Sequence, residues 1–274
     1  MSLIVNKSIS ITKGQEHQVC NVDLTKRENF FYEVYQKADH CVEEIRAASN
    51  EDRTESINNI IAFCGERGQG KTSAMRSFSA ILKKRDNGSL YYIMNIVDPT
   101  SLEKNDNILM LVLSCLFRDF KKKWNGNNND KITLENKKNQ ILSYFQKAYH
   151  HISVIKNSSK TDNEADFDDI MNTLDKYGDS TELSDVLKKL IRNFLDFCDY
   201  DKNSFFVIQI DDTDLNVERA YEIIEDIRKY LSIPNVIILM ATKFEQLSKI
   251  IEQNYIQNFK VLYEQNKINN YEIA

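Results

Sequence analysis

Residues 65–72 read Gly65-Glu66-Arg67-Gly68-Gln69-Gly70-Lys71-Thr72, between an apolar run (Ile60, Ile61, Ala62, Phe63) and a stretch with helical spacing. A G-x-x-x-x-G-K-[ST] pattern in a strand–loop–helix context builds a phosphate cradle. Glycines let backbone N–H groups curl around the phosphates, Lys71 reaches their oxygens, and the Thr72 hydroxyl is placed to ligand Mg²⁺. The whole segment from Gly65 through Ser73 is therefore the candidate nucleotide site. The competing reading is an accidental match in a turn, which average residue frequencies produce in roughly one chain in a hundred at this length. This chain is glycine-poor, and three of its seven glycines fall in the loop, where backbone must approach phosphate without a Cβ in the way.

A second stretch, Phe205-Phe206-Val207-Ile208-Gln209-Ile210-Asp211-Asp212, is a mostly apolar run ending in two acids. It reads as a buried parallel strand whose C-terminal end carries chemistry. In phosphate-loop proteins that is where the magnesium-associated aspartate sits, a role Asp211 fills. Asp212 stands where many ATPases carry a glutamate that orients the attacking water. One methylene shorter, it suits a slow hydrolase or a switch. Asp214 adds a third acid, and the bland alternative is a surface turn whose Asp and Asn residues cap the next helix. Asn216 is the expected cap of a helix over 217–231 with Ala220, Ile223, Ile224, Ile227 and Leu231 on one face, ended by Pro234. Residues 236–241 form a further apolar strand with Thr242 and Lys243 at its tip. In the ATPase division that inserts such a strand between the phosphate-loop and acidic strands, a polar side chain here senses the γ-phosphate, and Thr242 is the candidate.

Taken together, Gly65 to Thr72, Ile210-Asp211-Asp212-Thr213-Asp214, the helix that follows and Pro234-Asn235-Val236-Ile237-Ile238-Leu239 resemble the STAND class of AAA+-related NTPases, most of all its KAP-type branch. The likeness covers about sixty residues in two blocks. It implies an α/β fold, a three-layer P-loop NTPase core with a parallel sheet and the additional strand, ATP with Mg²⁺, and nucleotide-driven switching or assembly, often in bacterial signalling or antiviral defence. The chain departs from the family at named places. Thr213-Asp214-Leu215 replaces the common Leu-Asp-Arg, Arg67 stands where KAP-type proteins commonly have tryptophan, and the membrane helices of many KAP proteins are missing. A soluble relative within the wider class is the expectation. In related NTPases the segment before the first helix packs near adenine, which makes Arg27 a candidate for covering the base; an ordinary docking helix is the alternative.

The rest of the chain is read by pattern. Residues 1–12 contain Leu3-Ile4-Val5 and Ile9-Ser10-Ile11, consistent with a strand pair or edge strand. Residues 24–27 introduce an amphipathic helix with Phe30, Phe31, Val34, Tyr35, Ala38, Cys41, Val42 and Ile45 on its buried face. A helix over 72–84 leads to a strand over 90–97 stopped by Asp98-Pro99, and Asp106 or Asn107 caps a buried helix over 108–124. About 140 residues separate the phosphate loop from the acidic strand, far more than one crossover helix and one strand need. A helical insertion is implied. It opens at 125–130, has helical periods at Ile141, Phe145, Ala148, Tyr149 and Ile152 and at Leu183, Val186, Leu187, Leu190, Ile191 and Phe194, and is broken by a polar, acidic loop over 157–169. The expected organisation is an N-terminal segment (1–55), a first core part (56–124), the insertion (125–202) and a second core part (203–274).

Composition bounds the function. The chain is 42% hydrophobic and 28% charged with two prolines, and its five cysteines are scattered singly. That pattern argues against a disulfide framework or zinc site and for the cytoplasm. No apolar run reaches membrane-spanning length. The net charge of −5 gives no global pull toward nucleic acid; Lys83-Lys84-Arg85 and Lys121-Lys122-Lys123-Trp124 sit where helices should end, and cations suit helix C-termini. His150-His151 are adjacent on a helix, about 100° apart, which argues against a metal pair. The acids of 162–169 lack the glycine and terminal glutamate of a calcium loop. No Asn-x-Lys-Asp follows the acidic strand, which favours ATP over GTP. About thirty residues remain after Thr242, with a helical pattern at Phe244, Leu247, Ile250, Ile251 and Tyr255, short of the usual helical lid. The expectation is a piece of a longer protein, slow in isolation.

The leading reading is an ATP-dependent switch or assembly module, with Lys71, Asp212 and Thr242 as catalytic groups, Thr72 and Asp211 on Mg²⁺, and a homo-oligomer or a protein partner met through the helical insertion. No arginine in cis is persuasive, so one from a neighbouring subunit is expected to act in trans. The alternatives are a DNA-associated AAA+ loader or repair ATPase, a scaffold with a structural nucleotide, and a small-molecule kinase.

Overall fold

The computed structural model describes residues 31–50, 58–102, 106–126, 131–157, 167–213, 215 and 219–264. The expected strands at 1–12, Arg27, Asp214, the Asn216 cap and the acids of 162–166 lie outside them. Four parallel strands form one sheet: β1 (Ile60–Cys64), β2 (Tyr91–Ile93), β3 (Phe205–Ile210) and β4 (Val236–Thr242), in the order β1-β4-β3-β2. β4 is last in the chain and lies between β1 and β3, with Cys64 paired to Thr242 and Ile210 to Met240. Every residue of β3 and β4 is buried, which is why both read as unbroken apolar runs rather than alternating ones. β1, at the sheet edge among the described residues, keeps Ala62 and Cys64 exposed.

Helices cover both faces. On one, α1 (Tyr32–Asn50) and α2 (Lys71–Lys84) pack Tyr35, Ala38, Val42, Met75, Phe78 and Leu82 against Ile61, Phe63, Val207, Ile237 and Leu239. Val34, expected on the buried face of α1, is exposed, because it lies off the stripe set by Tyr35, Ala38, Val42 and Ile45. On the other face, α3 (Ile108–Gly126), α4 (Lys131–Asn157), α5 (Phe167–Phe197) and α6 (Ala220–Tyr230) share a single core with Phe206, Ile208, Ile210, Val236 and Ile238. α4 and α5 run antiparallel, since Lys137 pairs with Asp196 near one end and His151 with Glu182 farther along. α7 (Phe244–Glu264) packs Leu247 and Ile250 on Ala220, whereas Phe244 and Tyr255, expected on its buried stripe, are exposed.

Element ends depart from the pattern for local reasons. The strand expected over 90–97 is only Tyr91–Ile93, after which Met94 and Val97 still donate to β3 carbonyls. Between them Asn95 donates 2.7 Å to Asp119 on α3, a bond that holds the chain off the ladder. Asn107, not Asp106, caps α3 by accepting from Leu109 N–H at 2.6 Å. α5 begins at Phe167, inside the stretch expected as a loop, and α6 begins at Ala220, with Arg219 at its N-cap and no side-chain cap bond.

The turn between α6 and β4 is tied to the start of β1 by one side chain. Asn59 is wholly buried, and its amide donates to the carbonyls of Leu231 (2.8 Å) and Val236 (3.1 Å). The Leu231 carbonyl also accepts from Ile233 N–H at 2.9 Å, so Asn59→Ala removes two buried bonds without leaving that carbonyl bare, and a loss of about 1–2 kcal/mol is expected in urea denaturation. A change within about 0.5 kcal/mol would show that the Asn59 amide does not hold the turn.

Candidate functional site

All four strands are parallel, so the chain segments leaving β1, β3 and β4 converge at one end of the sheet. The loop from β1 holds its shape by its own bonds. Gln69 Oε1 accepts from Glu66 N–H at 2.7 Å, Gln69 N–H donates to the Glu66 carbonyl at 3.2 Å, and Lys71 Nζ donates to the same carbonyl at 3.3 Å. Gly68 and Gly70 sit at φ 85° and 80°, where a side chain is strained. A Cβ on Gly70 would also come within 3.0 Å of the Phe31 ring. Gly70 caps α2 without any side-chain bond, so the first-turn N–H groups retain capacity for an anion at the positive end of the helix dipole.

The residue leaving β3 meets the loop directly. The Thr72 hydroxyl donates to Asp211 Oδ1 at 2.8 Å, joining positions 139 residues apart. The same oxygen accepts from Asp212 N–H at 3.0 Å, and Asp212 has a left-handed φ of 48°. Asp211 is buried and Asp212 half-buried. A carboxylate and a hydroxyl held in contact at a helix N-terminus form an oxygen pair suited to a hard divalent cation that keeps most of its waters.

Thr242, the last residue of β4, is 1% exposed, and its Oγ1 has no hydrogen-bond partner; the buried Thr213 Oγ1 shares that condition. The Tyr35 and Tyr91 hydroxyls are buried without a partner too; what sets the two threonines apart is their place beside the loop and Asp211, where a polar ligand could bond them. Arg67 is exposed and Ser73 half-buried. Sequence reasoning missed the ion pair between Lys243 Nζ and Glu66 Oε2 at 2.6 Å, which ties the tip of β4 to the loop. It also missed Thr213, whose burial could not be inferred in a run of turn-forming residues.

The basic run at 121–124 and the histidine pair lie on the helical layer, with Lys121, Lys122, Lys123 and His150 exposed. Trp124 stacks on Phe197, and Lys138 lies 4.1 Å over its ring, so the indole is engaged within the helical layer. Lys122 faces Asp119, and Lys121 lies over Phe117. His151 is buried 3.9 Å from Glu182 whereas His150 is exposed, and no group of three metal-ligating side chains occurs among the described residues. No described helix is long and apolar enough to cross a membrane.

The chain matches no known protein-family model and no curated protein.

The thiols provide a check on this geometry. Cys64 is exposed at the mouth of the loop, whereas burial pushes the Cys198 thiol up to about 11. At pH 8 about one Cys198 in a thousand is thiolate, so iodoacetamide is expected to take Cys64 well before Cys198 in a peptide mass map. Equal labelling would place Cys198 in water.

Proposed function

We propose that this chain is a P-loop NTPase that binds ATP with Mg²⁺ and hydrolyses it slowly, acting as a nucleotide-dependent switch or assembly module of the STAND type, in a setting such as bacterial signalling or antiviral defence. The observation that carries the reading is the 2.8 Å bond between Thr72 and Asp211, made at the foot of a loop whose left-handed glycines open onto an uncapped helix N-terminus. The insertion of β4 between β1 and β3 is the strand order that the resemblance implies, and it adds independent support.

In this reading the loop amides and Lys71 bind the phosphates, and Thr72 and Asp211 hold Mg²⁺. The metal supplies charge neutralisation of the phosphate oxygens. Asp212 positions the attacking water, and the unpaired Thr242 hydroxyl gains a partner in the terminal phosphate or that water. Lys71 must leave the Glu66 carbonyl, a weak bond at 3.3 Å, to engage phosphate. Contacts with a second copy or a protein partner fall to the α4–α5 hairpin, where surface can vary without disturbing the loop.

Equilibrium titration with a fluorescent ATP analogue and Mg²⁺ tests this. Lys71→Ala is expected to weaken binding by about 10- to 100-fold. Asp212→Asn should retain binding while turnover falls by about 100-fold or more. A native chain that binds neither ATP nor GTP would sink the proposal.

A further inference from the structure

The outer seam of the α4–α5 hairpin holds a cleft of about 490 Å³. On α4, Ile141, Phe145, Ala148 and Ile152 turn into the core, and on α5 Leu183, Leu187 and Leu190 do the same. Tyr144, Lys147 and His151 each stand one residue before a core position of α4, and Glu182, Val186 and Lys189 one residue before a core position of α5. A step of one residue is about 100° round the helix, so these two ridges flank the buried seam. Both ridges line the cleft, and every lining residue belongs to α4 or α5, so no third described element roofs it. The register that pairs Lys137 with Asp196 and His151 with Glu182 sets Lys147 opposite Val186 and Tyr144 opposite Lys189.

Floor and rim differ in chemistry. Val186 and His151 are buried and Tyr144 is half-buried, whereas Lys147, Lys189 and Glu182 are exposed. Lys147 Nζ hangs 5.8 Å from the Tyr144 ring centroid. Elsewhere on the hairpin Lys137 and Lys138 have carboxylate partners, but among the described residues Lys147 and Lys189 make no ion pair. Glu182 is the one acid of the lining, and it lies at the His151 end, 3.9 Å from that ring. The middle and the Tyr144 end of the cleft are therefore cationic over an apolar floor, in a chain whose net charge is −5. That pattern complements a segment with carboxylates beside an apolar side chain: the apolar group gains by leaving water, and the carboxylates meet two unpaired ammonium groups. It suits nucleic acid poorly, because two lysines neutralise only about two phosphates and Glu182 repels a continuous phosphate backbone.

We propose that this cleft docks an acidic peptide segment of a partner protein, with an apolar side chain of the segment on Tyr144 and Val186 and its carboxylates on Lys147 and Lys189. Glu182 sets the direction, since it repels an acid at the His151 end. The inference deepens the assembly reading above by giving the chemistry of the partner. The cleft is built wholly from α4 and α5, so peptide docking and nucleotide binding are measured separately.

The test is fluorescence anisotropy on the full chain with labelled short peptides in which a Leu, Phe or Trp is flanked on both sides by Glu, by Gln or by Lys, and with a short DNA duplex. The variants are Lys147→Glu with Lys189→Glu in the cleft, and Lys121→Glu with Lys188→Glu, an equal charge change at exposed positions outside it. Thermal melts verify folding, and MgATP is titrated in parallel. A Glu-flanked peptide is expected to bind, its Gln counterpart to bind about tenfold or more weakly, and the cleft variant to lose about tenfold while the outside variant stays within about twofold. The proposal fails if Glu- and Gln-flanked peptides bind alike, if both variants weaken binding equally, or if no peptide binds below about 1 mM. It also fails if the duplex outbinds every peptide and is lost with the cleft variant, or if that variant instead abolishes a concentration-dependent self-association, which would make the occupant a second copy. Peptide binding without MgATP binding would sustain the docking cleft and sink the nucleotide reading; the reverse would do the opposite.

Discussion

The rest of this structure depends on the place of β4. Seven consecutive residues, all buried, run between β1 and β3 and hydrogen-bond to both. Fully burying side chains of the Val, Ile and Leu type stabilises by about 1.5–3 kcal/mol each, so a strand of this composition is strongly driven into the sheet centre. Its position fixes the spacing between the loop leaving β1 and the acids leaving β3, and it delivers Thr242 and Lys243 between them. A polar strand here would leave the edge of β1 and the edge of β3 without partners, and the Thr72–Asp211 contact would lose its frame.

Around that frame several buried polar groups are paired across elements. Asp119 is buried on α3 and receives the Asn95 amide at 2.7 Å and the Tyr92 hydroxyl at 3.3 Å. Burial first, and the nearby Asp119 charge second, push the Tyr92 phenol well above its ordinary value, so it stays neutral as a donor. Gln209, inside the otherwise apolar β3, donates to the Met94 carbonyl at 3.0 Å and so helps hold the end of β2 against β3. The hydroxyls of Tyr35, Tyr91, Thr213 and Thr242 are buried without a partner, and of these the two threonines lie at the end of the sheet that carries the loop.

The helical hairpin α4–α5 is attached by the same apolar logic. Ile141, Phe145, Ala148 and Ile152 from one helix and Leu183, Leu187, Leu190 and Phe194 from the other enter the core that also contains Phe206 and Ile208. Phe194 packs edge-on against both Tyr92 and Phe206, so the hairpin is seated on the sheet itself. Its distance in sequence from the loop leaves its outer surface free to differ without cost to the site.

The sequence by itself determined the local chemistry. The glycine spacing of 65–72, the apolar runs of β3 and β4 and the acids after Ile210 were legible because each depends on residues adjacent in the chain. The helical faces at Ile141–Ile152 and Leu183–Phe194 were legible for the same reason, although exposed Val34, Tyr149, Phe244 and Tyr255 show that periodicity overstates the width of a buried stripe. Tertiary structure alone decided what depends on residues far apart: the bond of Thr72 to Asp211, the clasp of Asn59 on the α6–β4 turn, the shortening of β2 by Asn95, and the meeting of Glu66 with Lys243. Each of these is set by strand order and register, and neither leaves a periodic trace in the chain.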